Sequence, residues 1–142
     1  MEEVEVIQFT VYGEPVGKAR PRVTRYGTYT PQKTRNYEQK IWDSWAEQSG
    51  KKLPDNAPIK LNVKVYFSVP KSYSKKLRDR LVGEPHIKLP DLDNCVKAIC
   101  DGCQGYVFKN DSHIYCIEAV KFYSETPRTE ITLEVMGNEK KT

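Results

Sequence analysis

The alternation of apolar and polar residues predicts the strands of this 142-residue chain. It is clearest over residues 59–67, where every second side chain is apolar, which is typical of a strand with one buried face. We also predict strands over residues 4–12, 115–123 and 130–136. Between these strands lie stretches whose apolar residues follow a longer period.

Apolar residues three or four positions apart predict three helices in those stretches. The helices cover residues 36–48, 74–81 and 92–103, and the second is short and basic. Strands at both ends with helices between them indicate an α+β fold, in which helices pack on a small mixed β-sheet. The length fits a single domain over residues 1–142 that can bury its own core.

Positive charge is concentrated in two segments, although the net charge of the chain is only +4. One is the segment 13–35, which has little periodicity and which we interpret as a flexible, exposed loop that orders on DNA. The other is the segment 71–80, which overlaps the predicted helix at 74–81. Residues 137–142 form a polar tail. Such clusters are typical of a nucleic-acid-binding surface, although a solvated surface has a similar composition. The candidate DNA-binding residues are Lys18, Arg20, Arg22, Arg25, Lys33, Arg35, Lys75 and Lys76.

Three tyrosines, Tyr26, Tyr29 and Tyr37, are interleaved with the first basic cluster. Aromatic rings in such a place can stack on unpaired bases, or they can be ordinary core and loop residues. Both alternatives stay open for each of the three.

A group of carboxylates stands out in this otherwise basic chain. Asp93, Lys97 and Asp101 follow one another at intervals of four, so they share one face of the predicted helix. Asp91 lies at the start of that helix, and Asp111 returns from the loop beyond it. Carboxylates gathered at one place repel each other unless a cation lies between them, and hard oxygen ligands suit Mg²⁺ or Mn²⁺. Such a metal is what phosphodiester hydrolysis would need.

The same spacing also fits a solvated helix face with two ion pairs, Asp93–Lys97 and Lys97–Asp101. Asp is, however, an unfavourable residue inside a helix. The carboxylates also outnumber the one lysine among them, which favours the metal.

At these positions the chain resembles the RusA family of Holliday junction resolvases. The core pattern of the family is Asp-x-Asp-Asn, a lysine four residues after the second aspartate, and a further aspartate in the loop after the helix. The matching residues here are Asp91, Asp93, Asn94, Lys97 and Asp111. The segment Gly17-Lys18-Ala19-Arg20-Pro21-Arg22 is similar to the opening of the Gram-positive and phage-type branch.

The resemblance implies an Mg²⁺-dependent endodeoxyribonuclease, with Mn²⁺ as the alternative metal. It would act as a homodimer on branched DNA and resolve four-way junctions by paired symmetric nicks. Lys97 would offset charge on the phosphate or position the nucleophile, and Asp101 and Asn94 would support the site. The implied metal ligands are Asp91, Asp93 and Asp111.

Three other functions stay open: a less selective DNA nuclease, a non-catalytic junction-binding module and a zinc-stapled interaction protein. The zinc hypothesis rests on four cysteines, of which only Cys100 and Cys103 form a Cys-x-x-Cys pair, and that pair lies on a predicted helix. We therefore expect buried thiols rather than zinc ligands or disulfides. We expect His86 and His113 to be surface residues.

The chain has no apolar run long enough to span a bilayer and no signal peptide, so we expect a soluble cytoplasmic protein with no membrane partner. It also lacks a glycine-rich phosphate loop, so we expect no nucleotide cofactor.

Overall fold

A computed structural model describes residues 4–19 and 22–136 of the chain. The predicted polar tail at 137–142 lies outside the described residues. The elements in chain order are β1 (Val4–Tyr12), β2 (Arg22–Thr24), β3 (Gly27–Tyr29), α1 (Gln32–Gln48), β4 (Ile59–Phe67), α2 (Lys75–Leu81), α3 (Leu92–Cys103), a 3₁₀ turn (Asp111–His113), β5 (Ile114–Tyr123) and β6 (Arg128–Met136).

Four strands form one sheet in the order β1-β6-β4-β5. β4 and β5 are parallel, whereas β6 runs antiparallel to both β1 and β4. A parallel pair needs a crossover connection, and α2 and α3 both lie in that connection. The mixed sheet with packed helices confirms the predicted α+β fold.

The core lies between one face of the sheet and the helices α1 and α3. In β4, alternate side chains from Ile59 to Phe67 are buried and those between them are not. This burial explains the clear alternation of apolar and polar residues in the sequence of β4. The two helices approach closely at Gly102, where an added Cβ would lie 3.0 Å from Cδ1 of Ile41. The site helix α3 is thus packed into the core along one side.

Tyr37 belongs to this core. Its hydroxyl forms a 2.7 Å hydrogen bond with Oγ1 of Thr129, and burial raises the pKa of Tyr37 to about 12. A ring held in this way is not available to stack on a base. Tyr26 and Tyr29, by contrast, are exposed.

The basic segment differs from the long loop that the sequence predicted. Part of it forms a hairpin of β2 and β3, in which Gly27 adopts a positive φ of 125°. Oγ1 of Thr24 accepts a hydrogen bond from the amide of Tyr26 and donates one to the carbonyl of Gly27. α1 also begins at Gln32 instead of residue 36, because its first turn is polar and gives no apolar period.

The expectation that His86 is a surface residue was wrong. Its side chain is 8% exposed and stacks on Phe67 with ring centroids 4.1 Å apart. Tyr123 meets it edge-on at 4.9 Å. Burial lowers the pKa of His86, and the nearby Lys121 lowers it further. The segment between α2 and α3 has no periodicity from which this packing could have been inferred.

Candidate active site at the start of helix α3

Two exposed carboxylates lie at the start of α3. Asp91 is the N-cap residue, and its side chain makes no capping hydrogen bond. Asp93 lies in the first turn, where one carboxylate oxygen accepts a 2.9 Å hydrogen bond from the amide of Asn94. Negative charge is favourable at a helix N-terminus, which stabilises both carboxylates where they are. Both therefore keep most of their oxygen lone pairs available to a ligand.

Lys121 of β5 holds the segment that leads into α3. Its ammonium group donates hydrogen bonds of 2.7 Å to the carbonyl of Lys88 and 2.8 Å to the carbonyl of Pro90. No carboxylate within the described part of the chain forms an ion pair with it. A positive charge therefore lies directly before Asp91 and fixes the backbone from which that side chain extends.

The charges at this end of α3 act together on Cys95. Burial raises the pKa of the Cys95 thiol to about 11; Asp93 and Asp91 raise it further, whereas Lys121 opposes them. All three charged groups thus lie within electrostatic reach of one buried atom.

Asp111 lies near a different part of the helix. It opens the 3₁₀ turn after α3 and is half-buried, and its amide donates a long 3.4 Å hydrogen bond to Oε1 of Gln104. Burial raises the pKa of Cys100 to about 11, and Asp111 and Asp101 add to that rise. Cys100 is five residues beyond Cys95, which is roughly 7.5 Å along a helix. Asp111 therefore acts on a part of α3 that lies farther from the helix start than the part on which Asp91 and Asp93 act.

The predicted metal ligands are therefore not assembled into one cluster. Across residues 4–19 and 22–136, no three His, Cys, Asp or Glu side chains are grouped closely enough to hold a metal ion. The chemistry of Asp91 and Asp93, two exposed carboxylates with few protein partners, nevertheless fits a hard divalent cation. The metal itself stays a prediction.

Lys97 is held by Asp101 on the face of α3 that the sequence predicted. Its ammonium lies 3.3 Å from Oδ1 of Asp101, and the lysine side chain is 57% exposed. Lys97 pairs with Asp101 and not with Asp93, so only one of the two anticipated ion pairs is formed. The second carboxylate oxygen of Asp101 lies 3.0 Å from the ammonium of Lys18.

The placement of Lys18 bears on its predicted role as a DNA-binding residue. The same ammonium donates to Oε2 of Glu38 at 2.7 Å, and the lysine side chain is only 19% exposed. Burial by itself lowers the pKa of Lys18, but the hydrogen bonds that its ammonium donates to Glu38 and Asp101 outweigh burial and raise the pKa. This charge is already paired with two carboxylates, and the DNA-binding role of Lys18 stays a prediction.

The other basic candidates are exposed wherever they are described. Arg20 lies outside the described residues, and of Arg22 only the backbone is described. Arg25 lies on the hairpin with its guanidinium 5.9 Å from the centroid of the Tyr26 ring. The remaining exposed candidates are Lys33 and Arg35 on α1 and Lys75 and Lys76 on α2.

Three of the four cysteines confirm the expectation of buried thiols. Cys95, Cys100 and Cys103 are buried in α3, whereas Cys116 on β5 is half-buried, and all four are free. Burial raises the pKa of Cys103 well above that of an ordinary thiol. Cys95, Cys100 and Cys103 are therefore protonated core residues at neutral pH.

Two residues of this region were missed from the sequence. The sequence did contain a hint for Lys121, because this lysine pairs with Val65 at a core-facing position of β5, where an apolar residue is the norm. No sequence pattern indicated a role for Glu38, since its contact with Lys18 depends on how α1 packs against α3.

No helix among the described residues is long and apolar enough to cross a bilayer.

Comparisons with known proteins bear on the same stretch of chain. Residues 12–134 match the family model described as "Endodeoxyribonuclease RusA". The uncharacterized protein YqaN of Bacillus subtilis (strain 168) is 35% identical over 139 residues, which cover 92% of this chain and 96% of the relative. The matched range includes the hairpin, α2 and all of α3.

Proposed function

The chain belongs to the RusA endodeoxyribonuclease family, and from this premise we propose that it resolves Holliday junctions by metal-dependent, paired symmetric nicks. The observation that carries the proposal is the pair of exposed carboxylates, Asp91 and Asp93, at the start of a helix whose other side is buried. Exposed basic residues on α2 and the hairpin provide charge for the DNA backbone.

In this proposal Asp91, Asp93 and Asp111 hold Mg²⁺, with Mn²⁺ as the alternative. When bound, such an ion polarises the phosphate and activates water as a nucleophile. Asp111 lies in a three-residue turn, which can shift more easily than α3 can. We expect it to join the other two carboxylates when metal and DNA bind.

Lys97 supports the proposed reaction by its charge. Its ammonium is exposed enough to approach a phosphate oxygen, and Asp101 restricts where it can go. A preorganised cation stabilises the negative charge that develops on the phosphate during hydrolysis. Asn94 contributes through its backbone, because its carbonyl accepts a 2.9 Å hydrogen bond from the amide of Lys18.

The DNA backbone would be bound by exposed basic residues on three elements. Contacts of this kind add affinity without sequence readout and weaken as salt rises. The exposed members of the proposed set are Arg25 on the hairpin, Lys33 and Arg35 on α1, and Lys75 and Lys76 on α2. Arg20 and Arg22 join the set on the grounds of sequence alone. We place this activity in the cytoplasm, where free thiols stay reduced.

A homodimer would match the two-fold symmetry of a four-way junction. β5 is an edge strand of the sheet, and its last residues are hydrogen-bonded to residues 83–86. Its first half exposes Tyr115 to 65% and Ile117 to 49%. An exposed apolar edge strand favours pairing with another chain, so we propose that a second copy covers it. Sedimentation of wild type beside an Ile117→Lys variant tests this, and a monomeric wild type that still makes paired nicks would count against the dimer.

The proposed function is tested with a labelled synthetic four-way junction. We expect symmetric nicks that leave 5′-phosphate ends in the presence of Mg²⁺, and none with a chelator. Linear duplex of the same sequence and single strands serve as controls. Equal cutting of the linear duplex would indicate a less selective nuclease, and tight binding without cutting in Mg²⁺ or Mn²⁺ would indicate a binding module.

A further inference from the structure

The chain before the hairpin passes in direct contact with the start of α3. The amide of Lys18 donates a 2.9 Å hydrogen bond to the carbonyl of Asn94. At Gly17 an added Cβ would lie 2.6 Å from Cβ of Pro90 and 3.4 Å from Cβ of Asn94. A side chain at residue 17 would therefore force the segment away from the helix, so glycine is required for this approach.

Lys18 also lies in a chain of four alternating charges. Lys18 contacts Glu38 of α1 at 2.7 Å and Asp101 of α3 at 3.0 Å, and Asp101 contacts Lys97 at 3.3 Å. Two cations and two carboxylates balance each other within this group. Three of the four side chains, Glu38, Lys18 and Asp101, are only 19% to 23% exposed, so solvent and salt screen them less than they screen surface pairs.

A lysine in this position is poorly suited to bind phosphate. To reach DNA, its ammonium would have to leave Glu38 and Asp101, and two partly buried carboxylates would then face each other. The same lysine is well suited to fix Asp101, because it occupies the oxygen of that carboxylate that Lys97 does not use.

We propose that Lys18 is a positioning residue of the nuclease: through Asp101 it sets the place of Lys97, and with Gly17 it holds the segment before the basic hairpin against the start of α3. This inference rests on the proposed function for the role of Lys97. The hairpin begins only four residues after Lys18, so anchoring Lys18 would limit how far the basic residues of the hairpin can move from α3.

The kinetic test uses Lys18→Met, which keeps the aliphatic chain and removes the charge. We expect single-turnover cleavage of a four-way junction to slow by about 10- to 100-fold, the usual loss when an orienting partner is removed. The salt dependence of junction affinity without metal should stay unchanged, because no phosphate contact is lost. If Lys18 instead contacted phosphate, the slope of log affinity against log salt would fall by about 0.9.

Two further variants separate positioning from general destabilisation. Lys18→Arg keeps a cation between the two carboxylates and should restore most of the rate. Lys51→Met removes an exposed pair with Glu5 at 3.3 Å, remote in sequence from α3, and should cut like wild type. Equal slowing in Lys18→Arg and Lys18→Met would overturn the charge argument.

A coupling measurement closes the test. If Lys18 acts through Asp101, the double variant Lys18→Met/Asp101→Asn should cut no more slowly than Asp101→Asn alone. If the two residues act independently, the fold-reductions in rate of the two single variants should multiply in the double variant.

Hydrogen exchange of the 13–19 segment gives a readout that needs no cleavage. Exchange at the Lys18 amide should be slow in wild type and faster in both Gly17→Ala and Lys18→Met. If wild type does not cut DNA but these variants still exchange faster, the proposed function fails and the structural inference survives. Unchanged exchange in both variants would overturn the inference.

Discussion

Helices α2 and α3 both lie in the connection between β4 and β5, yet α3 buries six residues and α2 buries none. α3 is held by the core, by Lys121 at its start and by Lys18 at Asp101. α2 is capped by Ser74, whose hydroxyl accepts a 3.2 Å hydrogen bond from the amide of Leu77, and it carries mostly basic side chains.

The difference in burial between α3 and α2 corresponds to two different requirements of a nuclease, hydrolysis and phosphate binding. Hydrolysis depends on reacting groups held to within a fraction of an ångström, which a buried helix can provide. Phosphate binding depends mainly on charge and tolerates movement, so an exposed helix with long basic side chains is sufficient. We therefore expect changes on α3 to alter the rate of cutting and changes on α2 to alter affinity.

The largest expected effect is that of Asp93→Asn. This change removes a proposed metal ligand while keeping the size of the side chain, so junction cleavage should fall below detection. Binding should be retained or tightened, because one negative charge facing the DNA is lost. Gel-shift and cleavage assays on one junction measure both, with Asp43→Asn on the exposed face of α1 as the matched control. Wild-type cutting by Asp93→Asn would refute the site.

Lys121→Met should give the next largest effect. The variant loses both hydrogen bonds to the carbonyls before Asp91, so cleavage should slow by about 10- to 100-fold at saturating DNA. Metal titration followed by calorimetry provides a second readout, in which we expect weaker divalent-ion binding. Lys121→Arg keeps the charge and the donors and should be closer to wild type. A variant that loses only thermal stability, with normal cutting at low temperature, would give Lys121 a purely structural role.

The double change Lys75→Met/Lys76→Met sharpens the comparison from the side of α2. Both side chains are exposed, and the fold should not change. If both contact phosphates, the slope of log affinity against log salt should fall by about 1.8, with an unchanged cleavage rate at saturating protein. A slope equal to that of wild type would remove α2 from the interface.

The smallest expected effect is on stability and concerns His86, in the segment of chain that connects α2 to α3. Burial holds the pKa of His86 below its ordinary value of 6.5, so the unfolded chain binds an additional proton as the pH falls through that value. The contribution of His86 to stability should be complete at neutral pH and decrease on acidification. Denaturant unfolding at pH 7 and pH 5.5 should show a smaller pH dependence for His86→Phe than for wild type. Equal dependence would mean that His86 titrates normally in the fold.

Much of the fold could be predicted because its elements have one buried side. β4 and α3 were predicted with their observed bounds, since a strand of period two and a helix with one apolar face leave clear patterns. The hairpin at 22–29 left no such pattern, because its residues are exposed and its turn depends on Gly27. Short exposed strands carry no apolar alternation.

The candidate site was predictable only where its residues share one helix. The spacing of Lys97 and Asp101 gave their contact, which the structure confirms. Lys18, Glu38 and Lys121 come from a loop, another helix and a strand, and only the packed fold brings them to α3. The sequence placed Lys18 among the DNA-binding residues because charge alone does not show which partner it meets.

The most direct test compares Asp93→Asn with Lys75→Met/Lys76→Met on the same four-way junction, with affinity and single-turnover rate measured for each. The separation of tasks predicts opposite results. The α3 variant should bind with normal affinity and not cut. The α2 variant should bind more weakly and with a smaller salt dependence, and it should cut normally at saturation. If both variants lose affinity and rate together, α2 and α3 do not have separate roles and the account is wrong.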